Sequence, residues 1–338
     1  MAIDFHRASD FGIVYRNRAS RRRHPVLVTV QNDTLNKARG MIRIAVIGAG
    51  DSLCSELSRR LKNTLLLPLP RREAIGNFDA VAFLEDAFPE ADVCQAAIDL
   101  RKPLLLASRH ALLIESFDQI AQQAELNSVP VMLVNPDRSL PSRQVLFEEL
   151  EHSRLGTAGL IRIHRWEPRE FTQFTRASLP SGLFRDLDLL LGLMQGAPDV
   201  VFAAQSASVA TAGECGSIQV HAGFAAGAMA LVDYARTIPA QENYQSLSVI
   251  CSQGAVYSDD HANRQLQYSQ SGAFAVPVDE GVIMSTSILQ RFIQKMSAPA
   301  TPTLSESLSS WRQARRLANA VMESLTKGQC IPLPIESR

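Results

Sequence analysis

Residues 42–53 read IRIAVIGAGDSL, so Gly48 and Gly50 follow directly on a run of apolar residues. Glycines there let the backbone turn sharply and approach a diphosphate closely. The N–H groups that open the next helix then bind the anion. Gly48, Ala49, Gly50, Asp51 and Ser52 are the candidate cradle. A tight strand-to-helix turn without a ligand explains the same residues. A third glycine commonly lets the helix pack tightly on its strand, but here Leu53 takes its place.

The next requirement is a carboxylate at the end of the second strand, to hold ribose hydroxyls. That strand, TLLLPLP, has no acid at its tip, and Glu73 lies beyond Arg71 and Arg72. The two arginines suit a 2′-phosphate, which favours NADP over NAD. As a solvated basic turn they need no ligand, and that reading weighs more. Farther along, Arg185-Asp186-Leu187-Asp188 sets a cation three residues before a carboxylate. On a helix this spacing makes an ordinary ion pair. Asp186 or Asp188 would be the base in a chemical reading, although a nearby guanidinium lowers a carboxylate's pKa and weakens it in that role. His164 and His221 alternate along LIRIHRW and IQVHAGF and suit a substrate surface, or equally a half-buried sheet position. His110 follows Arg109 at a strand end, where a cap is the plainer reading. No His, Cys or Asp spacing matches a metal site, and no serine sits in a nucleophile elbow.

The elements that must position these residues alternate from Ile42 onward. Apolar runs (IRIAVIG, TLLLPLP, FDAVAFLED, KPLLLAS, VPVMLVN) are separated by amphipathic stretches (SLCSELSRRLKN, PEADVCQAAIDL, SFDQIAQQAELN, PSRQVLFEELEHSRLG, the last closed by Gly156). Continuous apolar strands between helices predict a doubly wound parallel sheet. The segment before FDAVAFL is too short for the usual helix. After Gly156 the pattern changes to GLIRIHRWEP, an apolar helix GLFRDLDLLLGLMQG, and a series of short strands joined by Gly and Asn/Asp turns, which predicts a mostly antiparallel sheet. Two helices close the chain, the second capped by Ser305. The expected division is a basic, disordered extension over 1–40, in which PVLVTV (25–30) has strand character without an obvious partner, then a Rossmann-like domain over 41–156 and an α/β domain over 157–338.

The chain has 338 residues, 46% hydrophobic and 20% charged, with a formal net charge of zero. Zero net charge gives no field to attract nucleic acid or an anionic membrane. No apolar run reaches the roughly 18–20 residues of a membrane span. Five scattered cysteines without a CxxC point to a reducing, cytoplasmic setting rather than disulfides or zinc.

The order of these motifs resembles the glucose–fructose oxidoreductase, inositol dehydrogenase and MocA family over about residues 42–332. The segments that carry the resemblance are IRIAVIGAG, FDAVAFLEDAFPEADVCQAAIDLRKPLLLAS, VPVMLVNPDRSLPSRQVLFEELEHSRLGTAGLIRI, GLFRDLDLLLGLMQGAPDVVFA and the closing SLSSWRQARRLANAVMESLTKGQCIPLP. The resemblance implies a Rossmann domain followed by a domain with a large, mostly antiparallel open sheet. It also implies NAD or NADP bound by residues 48–52, Arg71 and Leu84, and a sugar, polyol or similar hydroxy compound as substrate. Asp188 matches the family's catalytic aspartate, and Arg138 and His164 fall where substrate contacts are expected. Two departures stand out. Ser108 occupies the position of the catalytic lysine, between Ala107 and Arg109, and Arg185 that of the general-base histidine. A guanidinium holds its proton and is a poor acid or base. The implied function is an NAD(P)-dependent oxidoreductase with weakened or altered catalysis. The alternative is a catalytically silent relative that binds a dinucleotide or other ligand or serves in assembly. In either case the C-terminal sheet would form a homo-oligomer.

Overall fold

The structure, a computed structural model, describes residues 40–69, 72–168, 179–207, 215–238, 244–259, 264–269, 272–277, 280–296 and 301–333. Arg71, PVLVTV and nearly all of the expected extension lie outside the described residues. Five short strands, β1 (Ile42–Ile47), β2 (Thr64–Pro68), β3 (Ala80–Phe83), β4 (Leu104–Leu106) and β5 (Val131–Leu133), pair in parallel in the order β2-β1-β3-β4-β5. The connections are α1 (Asp51–Arg60), a 3-10 turn over Arg72–Asn77, α2 (Ala91–Asp99) and α3 (Phe117–Leu126). With only that turn between β2 and β3, β2 stays at the sheet edge, where a proline is tolerated.

Both faces of this sheet are covered, which explains its unbroken apolar runs. Ile44, Val46, Ala82 and Leu105 pack against α1 and α6 (Glu280–Met296). Ala45, Phe83, Leu104 and Val131 face α2, α3 and α7 (Thr301–Lys327). Helix α7 begins at Thr301, with Pro302 in its first turn, where the missing N–H costs nothing. Ser305 therefore lies inside the helix and does not cap it.

Helix α4 (Pro141–Glu151) leads into the second sheet. It ends at Glu151, not at Gly156. That glycine has φ +76° and turns the chain into β6 (Ala158–Pro168), with Ser252 so close that a Cβ would meet it at 2.2 Å. Helix α5 (Ser181–Met194) follows, then β7 (Val200–Ala207), β8 (Cys215–Gly223), β9 (Met229–Ile238), β10 (Tyr244–Cys251) and β11 (Ala255–Asp259). A separate hairpin, β12 (Arg264–Ser269) and β13 (Gly272–Pro277), precedes α6, and β14 (Ile331–Pro332) ends the described chain. The sheet order is β11-β10-β6-β9-β8-β7-β14, antiparallel throughout except for the parallel β6–β9 pair. The architecture is thus a Rossmann-like parallel sheet followed by a large, mostly antiparallel one. Residues 41–338 form one unit; one apolar core runs from the first sheet through α5 and α7 to the inner face of the second, and another fills the α1 and α6 side of the first sheet.

Candidate functional site

Strand order reverses at β1 and β3, and ligands of such sheets bind beyond the C-terminal ends of the strands at that point. A cavity of about 560 Å³ lies beside it. Glu85, Ala107 and Asp137, just past β3, β4 and β5, form one side. Arg165, Trp166 and Glu167 at the end of β6, Tyr244 and Gln245 at the start of β10, Arg185 of α5 and the first turns of α6 form the other.

Alternation along β6 sends Ile161, Ile163 and Arg165 to the inner face, so a guanidinium ends an otherwise apolar row. The N–H groups of Arg165 meet both oxygens of Asp186 at 2.8 Å, and Arg165 also donates to Asp137. Arg185 donates to Asp137 Oδ1 at 2.9 Å and to Glu167 Oε1 at 3.3 Å. Gln245 donates to Asp186 at 3.0 Å and accepts from Arg143 at 3.3 Å. Tyr234 Oη–H donates to the other oxygen of Glu167 at 2.8 Å. These charges are buried and compensated mainly by one another, as burial demands.

Burial alone would raise the Asp137 carboxyl, but Arg185 and Arg165 override it and hold it at about 2. Burial pushes Asp186 above the usual carboxylate range, with Arg165 opposing. It also drives the Tyr234 hydroxyl well above its ordinary value, an effect that Glu167 strengthens. The cavity wall therefore presents fixed charge, hydrogen-bond donors and acceptors, and the Trp166–Tyr244 ring pair (centroids 4.7 Å apart). Such a wall can bind hydroxyl groups and stack on a flat apolar face.

The structure separates several residues that the sequence groups together. Arg185 lines the cavity, but it pairs with Asp137 and Glu167 rather than with Asp188 three residues on. Asp188 faces away and is held by Arg138 (2.7 Å) and Asn135 (2.9 Å), its carboxyl raised by burial against their pull. Arg138 and Asp188 border a different cavity. His164 points to the opposite face of the sheet and meets Asp233 at 3.4 Å, and His221 shares that outward face beside Phe202. His110 precedes a short 3-10 turn and lies near Phe88; burial lowers its pKa. Ser108 is 1% exposed, and its hydroxyl has no hydrogen-bond partner among the described residues. Asp137, Arg165, Glu167, Gln245 and Glu85 were not visible as site residues. The signal for two of them is the period-two row Ile161, Ile163, Arg165, Glu167.

The chain passes from β1 to α1 through a tight glycine turn. Gly48 has φ +94°, and a Cβ on it would lie 2.3 Å from the carbonyl oxygen of Leu84. Gly50 precedes α1, and a Cβ there would meet nothing within 4 Å. Ala49 is buried, while Asp51 and Ser52 are exposed in the first turn of the helix. Leu53 turns into the core shared with α6. At the end of β2, Leu69 donates its N–H to Val46, and no carboxylate stands at the tip. The turn fits a diphosphate, whereas the described end of β2 offers nothing for the ribose. Among the described residues no cluster of three potential metal ligands occurs, and no helix is long and apolar enough to cross a membrane.

No protein-family profile and no curated protein sequence matches the chain. Solved structures do match in fold. A Thermotoga maritima "probable dehydrogenase" has a TM-score of 0.68 at 18% identity, covering 86% of this chain and 98% of that one. Myo-inositol 2-dehydrogenase from Lactobacillus plantarum gives 0.67 at 17%, covering 87% and 100%. Scyllo-inositol dehydrogenase from Lactobacillus casei, solved with NAD(H) and scyllo-inositol bound, gives 0.65 at 15%, covering 86% and 99%. The chain thus shares the two-sheet fold of the inositol dehydrogenases over nearly their whole length.

Proposed function

We propose that this chain is an NAD(P)-dependent oxidoreductase-like protein whose cavity binds a small sugar, polyol or similar hydroxy compound, with hydride-transfer catalysis weak or lost. One observation carries the reading. Ser108, which the resemblance aligns with the family lysine, is buried, and Arg185, which it aligns with the histidine, is held by Asp137 and Glu167. A dinucleotide at residues 48–52 would supply the hydride acceptor. Gly48, Ala49, Gly50, Asp51 and Ser52 would hold its diphosphate through the backbone, with Leu84 fixing the turn. Each missing acid or base group typically costs about 10²–10⁴ in rate.

The test is NAD⁺ and NADP⁺ reduction, followed by absorbance over a sugar and polyol panel, alongside binding followed by Trp166 fluorescence. The wild-type chain is expected to bind but turn over slowly, and Ser108→Lys with Arg185→His to raise the rate. Wild-type turnover of about 1–10³ s⁻¹, the ordinary enzyme range, refutes the loss of catalysis.

Glu85 favours a second reading, that of a working enzyme. It lines the cavity with φ +50°, and its carboxylate has no partner among the described residues. A half-buried carboxylate in a strained backbone position at a cleft is a candidate general base. If turnover is found, Glu85→Gln abolishes it under this reading and leaves it intact under any other.

For assembly, the outward face of the second sheet is the proposed homo-oligomer surface. Its row Val200, Gly223, Met229, Leu160, Ile250 is apolar, with Phe202 and Leu231 beside it.

A further inference from the structure

We propose that a second cavity, of about 370 Å³, at the C-terminal end of β5 binds a phosphoryl oxyanion, either inorganic phosphate or a small phosphate monoester. It shares no lining residue with the cavity above. Its walls come from β5, the turn Pro136–Ser139, α4, α5, α6 and α7. Three cations border it, and they are not equally engaged. Arg138 is spoken for by Asp188 at 2.7 Å. Arg291 and Lys295 lie one helical turn apart on α6, so both reach the same side. Arg291 donates to the hydroxyl of Ser139 at 2.6 Å, and no carboxylate pairs with it among the described residues. Among the described residues Lys295 has only Glu306, at 3.6 Å, and that side chain is 74% exposed.

The wall also contains an unused buried donor. Trp311 is 4% exposed, and its indole N–H has no acceptor among the described residues; the residue borders this cavity and a neighbouring one. Such orphaned groups are uncommon and call for a missing partner. The two carboxylates in the lining do not supply one. Asp188 is held by Arg138 and Asn135, and Glu306 extends into solvent. A guanidinium, an ammonium, serine hydroxyls and an indole N–H make a donor set of mixed direction. A tetrahedral phosphoryl group, with acceptors on every side, satisfies such a set better than a planar carboxylate. A water takes about 30 Å³ in the liquid, so the cavity has room for a phosphoryl group with a small organic part attached.

Trp166 and Trp311 are the only two tryptophans, so Trp166→Phe leaves Trp311 as the sole reporter. The full-length W166F chain is titrated with inorganic phosphate, glucose 6-phosphate, citrate, and sodium chloride at matched ionic strength. Thermal shifts of the wild-type chain serve as a second readout. Phosphate is expected to change Trp311 emission saturably, with a Kd of about 1 mM or below, and to raise the melting temperature, while chloride does neither. Arg291→Gln with Lys295→Gln, folded by circular dichroism, is expected to weaken the response about tenfold or more. A tighter response to glucose 6-phosphate assigns the site to monoesters, and an equal one to the free anion. The proposal is overturned by the absence of a saturable change up to about 50 mM phosphate, far above the expected Kd. It is also overturned by an undiminished response in the double variant, or by citrate or chloride acting as well as phosphate. None of these readouts depends on dinucleotide binding or turnover.

Discussion

Asp137→Asn probes the charge network behind the candidate site. Asp137 is 6% exposed and accepts hydrogen bonds from both Arg165 and Arg185. Removing one partner of a buried ion pair typically costs about 3–5 kcal/mol, because the remaining charge stays buried without compensation. The shifted carboxyl gives a second figure. The carboxyl is held at about 2 in the fold against an ordinary 3.8, which corresponds to about 2 kcal/mol of stability at neutral pH. The second value is the smaller because the shift is a net one, the pull of the two arginines less the desolvation that opposes it. A loss of about 2–5 kcal/mol is therefore expected in urea unfolding at pH 7, or a drop in Tm of about 5–15 °C. The pH dependence carries a definite sign. The folded pKa lies below the unfolded one, so this stabilisation is complete above about pH 5 and is lost as pH falls from about 4 through 2. The gap between wild type and D137N should accordingly narrow between pH 5 and pH 3. A gap below about 1 kcal/mol at pH 7 refutes the reasoning, as does one that stays constant over that pH range.

Three further outcomes follow from positions on which the fold, the glycine turn and the assembly depend. Gly48→Ala places a Cβ 2.3 Å from the Leu84 carbonyl at φ +94° and should cost about 2–4 kcal/mol in urea unfolding. Gly50→Ala meets no protein atom and should change stability by less than about 1 kcal/mol, yet weaken NADH binding at least tenfold, because its methyl fills space that the diphosphate needs. Unaltered NADH affinity in G50A removes the turn as the dinucleotide site. Met229, 57% exposed in the apolar row of the outward sheet face, should disrupt assembly when changed to Glu, with light scattering falling to the 37.1 kDa of one chain. A wild-type chain already at that mass rules out the homo-oligomer.

The parallel sheet was legible because both of its faces are buried, so β1, β3, β4 and β5 read as unbroken apolar runs between amphipathic helices. The start of α7 was less so. Ser305 has the chemistry of a cap, but Pro302 and its neighbours already continue the helix, and nothing local distinguishes a serine in the first turns from one that caps them. The site was legible only in pieces. Arg185 and Asp188 have the spacing of a helix-face pair, and that local rule gave way to partners far away in sequence. Arg185 turns toward Asp137 past β5, and Asp188 toward Arg138. Each partner sits nearly fifty residues away, where periodicity carries no information. The same geometry bears on the proposed chemistry. Because a guanidinium holds its proton, and because Asp137 is kept ionised by two of them, neither group on the cavity wall can hand a proton to or from a hydroxyl near neutral pH. Glu85 also lines that wall and its carboxylate stands outside the network among the described residues, so it is the first group to substitute if turnover is found.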